Sequence, residues 1–189
     1  MMGNIVEREN SEAVEQVVGL LRQGQLVILP CDTIYGIIAK VDEGFEALRL
    51  AKGRPETKPF IQLANLEMVQ KISITPIGQD VLACWPGPLT VIVEDHADSS
   101  TAVRVPKDSF LLEVIDKLGS PVYSTSVNVS GEPSLLYFDE ICSRFSSSVP
   151  LIVHGCEAQG TIPSTILDIR FKPYVLIRQG VFDVTNLLS

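Results

Sequence analysis

The sequence predicts an α/β protein in which residues 1–189 form a single domain, with a twisted, mixed, open sheet flanked by helices. Two observations lead to this prediction. Short, β-branched apolar runs alternate along the chain with segments of helical periodicity. The 189 residues, 46% of them hydrophobic, suffice for a sizeable core, and no repeat, low-complexity tract or linker interrupts the chain.

The first predicted unit is an amphipathic helix followed by a buried strand. The helix covers residues 11–23, with Ser11 as its cap, apolar side chains along one face and Gly24 at its end. Residues 26–29 are a continuous apolar run, which is typical of a strand buried on both faces. The next proline ends that strand and starts a loop that reaches residue 36.

The remaining elements follow from the same two patterns. Further helices are expected at residues 44–51, 79–84, 108–118 and 137–145. Further strands are expected at residues 60–64, 89–94, 102–105, 121–124, 151–153, 164–169 and 175–177. Because loops after strand ends converge in an open α/β sheet, we expect the ligand site at one edge of the sheet.

Charge and cysteine content narrow the classes of function. A net charge of −8 argues against a protein that coats nucleic acid, since phosphate neutralisation requires a basic surface. The chain has no run typical of a signal peptide or a membrane span, so we expect a cytoplasmic protein without membrane contact. Four scattered cysteines and two histidines lack zinc-ligand spacing, so we expect reduced thiols and no protein metal site.

Positive charge is concentrated just after the predicted 44–51 helix. Lys52, Arg54 and Lys58 lie in a segment that two prolines stiffen around a single acid. One interpretation is a solvated helix C-terminus, where cations are favourable. The other is a binding site for phosphate or carboxylate, for which a guanidinium fork and an ammonium group are suited. Composition alone leaves both interpretations open.

Short polar side chains are concentrated between residues 124 and 134. Ser124, Ser126, Asn128 and Ser134 belong to this run. Such side chains commonly cap backbone groups within a loop, which is the more ordinary interpretation. The functional interpretation is that hydroxyls and backbone N–H groups after a strand form an anion-binding concavity.

Two arginines stand inside apolar strand runs. Arg104 and Arg178 either point to solvent or are buried beside a partner. Thr33 lies in the loop after the first buried strand, which is either a plain strand-to-helix turn or part of a site. These residues indicate a small-ligand or nucleotide pocket, and the chain has no Walker-A loop, G-x-G-x-x-G fingerprint or G-x-S-x-G elbow.

Seven short motifs stand in order between about residues 24 and 180. They are residues 29–36 (LPCDTIYG), 52–55 (KGRP), 86–90 (PGPLT), 103–106 (VRVP), 124–131 (STSVNVSG), 163–165 (PST) and 177–180 (IRQG). In this order they resemble the YrdC-like family, whose well-characterised members are threonylcarbamoyl-AMP synthases. The length of the chain is similar to that of the short, single-domain members.

The resemblance implies condensation of L-threonine, bicarbonate and ATP into threonylcarbamoyl-AMP and pyrophosphate, on the way to threonylcarbamoyladenosine in tRNA. ATP would be a substrate, assisted by Mg²⁺ without a dedicated protein site. A separate tRNA-threonylcarbamoyl transferase would be the partner that receives the product. Two alternatives remain open: a paralogue with weak or different nucleotide-dependent activity, and a protein of the same fold that binds double-stranded RNA or tRNA.

The resemblance also implies roles for individual residues. The implied threonine ligands are Thr33, Arg104, Ser124 and Ser164. The implied ATP ligands are Arg54, Lys58, Ser126, Ser134 and Arg178. The implied catalytic residues are Lys52, Arg54, Ser126 and Asn128. A forked cation suits the threonine carboxylate, and several converging cations suit a triphosphate.

Four positions depart from the family pattern. Cys31 stands where the family usually has threonine, and Asp32 replaces the commoner glutamate. Lys58 replaces a frequent asparagine, and Leu63 occupies the position of a histidine found in many longer relatives. These departures concern the contacts with threonine and phosphate.

Overall fold

A computed structural model describes residues 4–53, 59–97, 99–155 and 162–188. The strands are β1 (Asn4–Glu7), β2 (Val27–Leu29), β3 (Gly36–Lys40), β4 (Ile61–Leu63), β5 (Leu89–Glu94), β6 (Ser100–Arg104), β7 (Val122–Ser126), β8 (Leu151–His154), β9 (Thr165–Asp168) and β10 (Val175–Arg178). The helices are α1 (Ala13–Arg22), α2 (Phe45–Lys52), α3 (Leu66–Ile72), α4 (Gln79–Leu82), α5 (Ser109–Leu118) and α6 (Phe138–Phe145), and a 3₁₀ turn covers Thr185–Leu187.

The ten strands form one mixed sheet in the order β1-β8-β2-β3-β7-β4-β6-β5-β9-β10. Four neighbouring pairs are parallel and five are antiparallel. The predicted α/β fold class with a mixed sheet is therefore confirmed. Strands distant in sequence become neighbours, so residues from many of the motifs meet on one surface.

Helices cover both faces of the first half of the sheet. In β2, Val27 and Leu29 join a core cluster with α1 and α5, whereas Ile28 joins a cluster with α2 and α6. Successive strand residues point to opposite faces, so these two helix pairs lie on opposite sides. A strand buried in this way on both faces is what the continuous apolar run predicted.

The second half of the sheet is covered differently. Val91 and Val103 join a third cluster with Val69 of α3 and Val81 of α4. Ile92, the neighbour of Val91 in β5, instead lines a cavity on the opposite face. The second half of the sheet therefore packs against a hydrophobic core on one face and borders a pocket on the other.

Most predicted elements are present with small shifts at their ends, but the predicted helix cap is wrong. Helix α1 begins at Ala13, and no side chain caps it. Asn10 instead accepts a hydrogen bond from the Glu12 N–H at 2.9 Å, which closes a local turn ahead of the helix. Gly24 follows the helix with φ +70°, as its predicted role at the helix end requires.

Three elements were not predicted: β1, β3 and α3. Strand β1 is mostly exposed and is held by parallel pairing with β8, a partner almost 150 residues away. Strand β3 pairs with β2 and β7, so the loop at residues 30–35 joins two strands and is not a strand-to-helix turn. Helix α3 carries a readable signal, because the Asn65 side chain caps it by accepting from the Met68 N–H.

Among the described residues, no helix is long and apolar enough to span a membrane.

Candidate functional site

A cavity of about 560 Å³ lies against the open face of the second half of the sheet. Alternate residues of successive strands form its floor, and these are Ile61 and Leu63 of β4, Ala102 and Arg104 of β6, and Ser124 and Ser126 of β7. Alternate residues share one face of a sheet. The pocket is therefore not confined to loops at one edge of the sheet, because strand interiors as well as loops line it.

Nine of the predicted site residues line this cavity together. They are Thr33, Lys52, Arg104, Ser124, Ser126, Asn128, Ser134, Ser164 and Arg178. Arg54 and Lys58 lie outside the described residues. The pairing order of the strands explains the convergence, since β7, β4, β6, β5, β9 and β10 are consecutive neighbours.

Arg104 is buried beside a carboxylate. Its Nη1 donates to Asp32 Oδ1 at 2.9 Å, and both side chains are about 5% exposed. The Lys107 backbone N–H donates to the other carboxylate oxygen of Asp32 at 2.9 Å. The Arg104 Nε is buried and has no hydrogen-bond partner within the described part of the chain. A buried cation held on one side and unsatisfied on the other is suited to an additional anionic ligand.

Arg178 reaches the pocket through an irregularity in β10. Leu176 pairs with Leu167 of β9, but Arg178, not the intervening Ile177, pairs with Ile166. This β-bulge inserts one residue and turns Arg178 to the face on which Ile166 lines the pocket. Without the bulge, the alternation along the strand would direct the guanidinium to the opposite face.

The Arg178 guanidinium is fixed by the start of β9. Its Nη2 donates to the Ser164 carbonyl oxygen at 2.8 Å, and the Ser164 Oγ lies 2.8 Å from the Thr90 Oγ1. Burial, together with the charge of Arg104, lowers the pKa of Arg178. No ion pair of the described residues includes Arg178. Two cations that disfavour each other in a desolvated site would both be stabilised by a bound anion.

Gly180 permits this arrangement. A Cβ atom at residue 180 would lie 2.2 Å from the Pro163 carbonyl oxygen and 2.4 Å from the Ser164 carbonyl carbon. The Gly180 N–H donates to Thr165 Oγ1 at 3.0 Å. The two motifs at residues 163–165 and 177–180 therefore pack backbone against backbone at the pocket, which any side chain at residue 180 would prevent.

Lys52 holds the opposite wall of the pocket together. The side chain is 3% exposed, and its Nζ donates to the carbonyl oxygens of Ser126 and Asn128 at 2.8 and 2.6 Å. It also contacts the Asn128 Oδ1, which accepts from the Ser126 Oγ at 2.6 Å. Lys52 is therefore not a solvated helix end, and these residues form a network that joins α2 to the end of β7.

Cys31 lines the pocket as a buried thiol. Burial raises its pKa to about 12, so the reactive thiolate is not formed at neutral pH. Cys31 is a free cysteine, which agrees with the predicted reduced thiols. No group of three histidine, cysteine, aspartate or glutamate side chains in the described residues could hold a metal ion.

The sequence did not reveal the ion pair of Asp32 with Arg104 or the apolar residues that line the pocket. Ile92, Ile166 and Ile177 line the pocket beside the polar residues. For Ile92 and Ile166, alternation with core residues along β5 and β9 is the signal that marks them. Thr90 also escaped notice, because its contact with Ser164 spans 74 residues.

The fold and the pocket define an α/β protein with a cavity lined by cations and hydroxyls on the face of a mixed sheet. A family model for Sua5, YciO and YrdC proteins, described as "Telomere recombination", matches residues 19–180. The chain belongs to this family, which confirms the resemblance found in the sequence.

Individual relatives agree with that assignment. A threonylcarbamoyl-AMP synthase of Pyrococcus abyssi (strain GE5 / Orsay) is 30% identical over 192 residues, covering 94% of this chain and 56% of its own length. A threonylcarbamoyl-AMP synthase of Vibrio vulnificus (strain YJ016) is 30% identical over 184 residues, covering 88% of this chain and 98% of its own length. The chain thus spans little more than half of the first relative and nearly all of the second.

A solved structure gives the same result at the level of the fold. The crystal structure of P. abyssi Sua5 complexed with L-threonine superposes with a TM-score of 0.87 at 26% identity. The superposition covers 99% of this chain and 60% of that one.

Proposed function

We propose that this protein is an L-threonylcarbamoyladenylate synthase, which makes threonylcarbamoyl-AMP and pyrophosphate from L-threonine, bicarbonate and ATP. The observation that carries the proposal is the convergence of nine predicted site residues on one cavity of about 560 Å³. The relatives named threonylcarbamoyl-AMP synthase support it. A cavity of this size is within the range of small-molecule sites.

The amino acid would lie on the side of the pocket formed by Arg104. Its carboxylate is the anion best matched to the buried guanidinium of Arg104, whose Nε has no partner among the described residues. Thr33, Ser124 and Ser164 line the same cavity and offer hydroxyls to the amino acid. Apolar neighbours such as Ile61 and Ala102 would surround the threonine methyl group.

ATP would lie toward Arg178. This cation and the hydroxyls of Ser126 and Ser134 would face the phosphates, and Arg54 and Lys58 would add two further cations. No acidic side chain of the described residues lines the pocket. Mg²⁺ would therefore be held by the phosphate oxygens and water, which is its usual manner of binding with nucleotides.

The chemistry would proceed by positioning and charge stabilisation. The threonine amine and bicarbonate form a carbamate with loss of water, and a carbamate oxygen attacks the α-phosphorus of ATP. A new P–O bond forms as the bond to the leaving pyrophosphate breaks. Cations fixed in advance around the phosphates stabilise the developing charge, and no covalent enzyme intermediate is required. In this scheme Lys52 and Asn128 fix the geometry around Ser126.

The product would serve tRNA modification. We propose that a separate tRNA-threonylcarbamoyl transferase receives it, that residues 1–189 act as one domain, and that the protein works in the cytoplasm. Direct binding of tRNA or double-stranded RNA is the less favoured alternative, because a net charge of −8 opposes phosphate contact.

Pyrophosphate release from ATP tests the proposal. We expect release that requires both L-threonine and bicarbonate. Arg104→Gln should abolish the threonine-dependent release, whereas Arg170→Gln, which breaks an ion pair with Asp168 that does not line the pocket, should leave it intact. Equal release with and without threonine would refute the assignment and favour a paralogue with a different nucleotide-dependent activity.

A further inference from the structure

Arg8, ahead of the residues that the family model matches, forms an ion pair with the segment before α5. Its Nη1 and Nη2 donate to the two carboxylate oxygens of Asp108 at 2.9 and 2.8 Å. The Arg8 side chain is 20% exposed and that of Asp108 is 8% exposed. The guanidinium also lies 5.2 Å from the centroid of the Phe110 ring. A bidentate, mostly buried pair of this kind fixes orientation as well as charge.

Asp108 connects this ion pair to the start of α5. Its Oδ1 accepts from the Leu111 N–H at 2.9 Å, so the same carboxylate caps the helix. The residue before it, Lys107, donates its backbone N–H to Asp32 Oδ2 at 2.9 Å. Asp32 in turn holds Arg104 in the pocket. An uninterrupted series of contacts therefore runs from Arg8 to the predicted threonine ligand.

Both ion pairs act on the Cys31 thiol, which lines the cavity. Burial has the largest effect on the pKa of Cys31, and the charges of Arg104, Asp32, Asp108 and Arg8 also affect it. Both pairs therefore lie within electrostatic range of one thiol that lines the cavity.

We propose that Arg8 is a positioning residue, which orients Arg104 toward the amino-acid carboxylate by way of Asp108, the Lys107 backbone and Asp32. The inference rests on the proposed function, because it assumes that Arg104 binds threonine. When Arg8 loses its charge, the segment at residues 107–108 relaxes and Asp32 loses its fixed backbone donor. The Arg104 guanidinium then departs from the geometry that binding needs, for which small displacements suffice.

The test compares L-threonine affinity, by calorimetry, in the full-length wild type and three variants. Arg8→Gln removes the charge, and Asp108→Asn removes the ion pair but keeps a capping oxygen. Lys117→Gln is the control, because it breaks the Glu15 pair at the other end of α5. We expect Arg8→Gln and Asp108→Asn each to raise the Kd for L-threonine by about 3- to 10-fold, the range for one hydrogen-bonded contact.

Three further expectations separate positioning from a general loss of stability. The double variant should bind L-threonine no more weakly than the weaker single variant, because both act through one series of contacts. The Kd for ATP should change by less than about 2-fold. This is less than the effect of losing one hydrogen bond, because the expected ATP ligands lie away from Arg104. Arg8→Lys should restore part of the affinity, and Lys117→Gln should leave it at the wild-type value.

An unchanged Kd for L-threonine in folded Arg8→Gln overturns the inference, and if that variant fails to fold, an unchanged Kd in Asp108→Asn does the same. Failure of the wild type to bind L-threonine refutes the proposed function instead. The positioning role is then decided by crystal structures of the wild type and Asp108→Asn. Retention of the 2.9 Å contact between Arg104 Nη1 and Asp32 Oδ1 in the variant overturns it, and loss of that contact supports it.

Discussion

At the scale of single residues, Arg104 combines burial with incomplete pairing. Its one ion-pair partner in the described part of the chain is Asp32, and both side chains are nearly inaccessible to solvent. Removing one member of a buried pair leaves the other charge without compensation, which is more destabilising than removing both. A variant of Arg104 alone and a variant of both residues should therefore differ in stability, which separates the effect of Arg104 on stability from its effect on ligand binding.

Arg104→Gln should lower the free energy of unfolding by about 3–5 kcal/mol, because the buried Asp32 carboxylate loses its cation. The double variant Arg104→Gln/Asp32→Asn should recover much of that loss, as measured by urea denaturation. Neither protein should bind L-threonine. Threonine binding at wild-type strength by the stabilised double variant would contradict the role assigned to Arg104.

Cys31 makes stability depend on pH in the alkaline range. The folded pKa is raised to about 12 by burial, whereas an unfolded cysteine has a pKa of about 9. Above pH 9 the unfolded state has released this proton and the folded state has not, so the unfolding free energy falls as the pH rises. The contribution is fully present below the unfolded pKa.

Between pH 9 and pH 11, this one thiol should reduce the free energy of unfolding by about 1.4 kcal/mol per pH unit. The measurement is urea denaturation at several pH values for the wild type and Cys31→Val. The difference in unfolding free energy between the two proteins separates the effect of the Cys31 thiol from that of tyrosine and lysine titration. Parallel curves for the two proteins would show that the Cys31 thiol titrates in the folded state as an exposed thiol does.

At the scale of elements, the bulge in β10 and the close approach of Gly180 place Arg178 and Ser164 side by side. The bulge determines the face of the sheet to which Arg178 points. The absence of a side chain at Gly180 allows its backbone to contact that of Pro163 and Ser164. Neither feature is a contact with ligand, so a change here should disturb both halves of the pocket at once.

Gly180→Ala should weaken the binding of both L-threonine and ATP, because its Cβ would overlap the Pro163 and Ser164 backbone. We expect a stability loss of about 1–3 kcal/mol, the usual range for overpacking. Gly19→Ala is the matched control, since a Cβ there meets no atom within 4 Å in the interior of α1. Normal ligand affinity in Gly180→Ala, by calorimetry, would show that the backbone contact does not set the pocket geometry.

The contact between α2 and the end of β7 depends on Lys52. Lys52→Met should reduce the free energy of unfolding by about 2–5 kcal/mol, because several charge-assisted hydrogen bonds to the Ser126 and Asn128 region are lost. Lys40→Met, which removes only a surface pair with Glu43, should leave the unfolding midpoint unchanged. A Lys52 variant with wild-type stability but no turnover would make Lys52 a direct participant in the reaction.

At the scale of the whole molecule, the sequence predicted the fold class and nine of the residues that line the pocket. Local periodicity found helices such as α5, and motif order brought together residues as distant as Thr33 and Arg178. The patterns could not predict β1, whose exposed residues form a strand only through pairing with β8. They also could not place the pocket on the face of the sheet, because strand order and the β10 bulge arise from long-range pairing.

The charge of the whole chain gives a prediction about RNA. With a net charge of −8, tRNA should bind weakly, and its affinity should change little between 50 and 200 mM salt. Filter binding with unmodified tRNA measures this directly. A loss of affinity of about 10³-fold or more over that range would indicate many phosphate contacts and would favour the RNA-binding alternative.

The central claim is that one cavity holds an amino acid and a nucleotide side by side. A crystal structure of the protein with L-threonine and a non-hydrolysable ATP analogue tests it most directly. We predict both ligands in the cavity of about 560 Å³, with the carboxylate at Arg104 and the phosphates toward Arg178. Ligands bound on separate surfaces, or a threonine carboxylate remote from Arg104, would contradict the account.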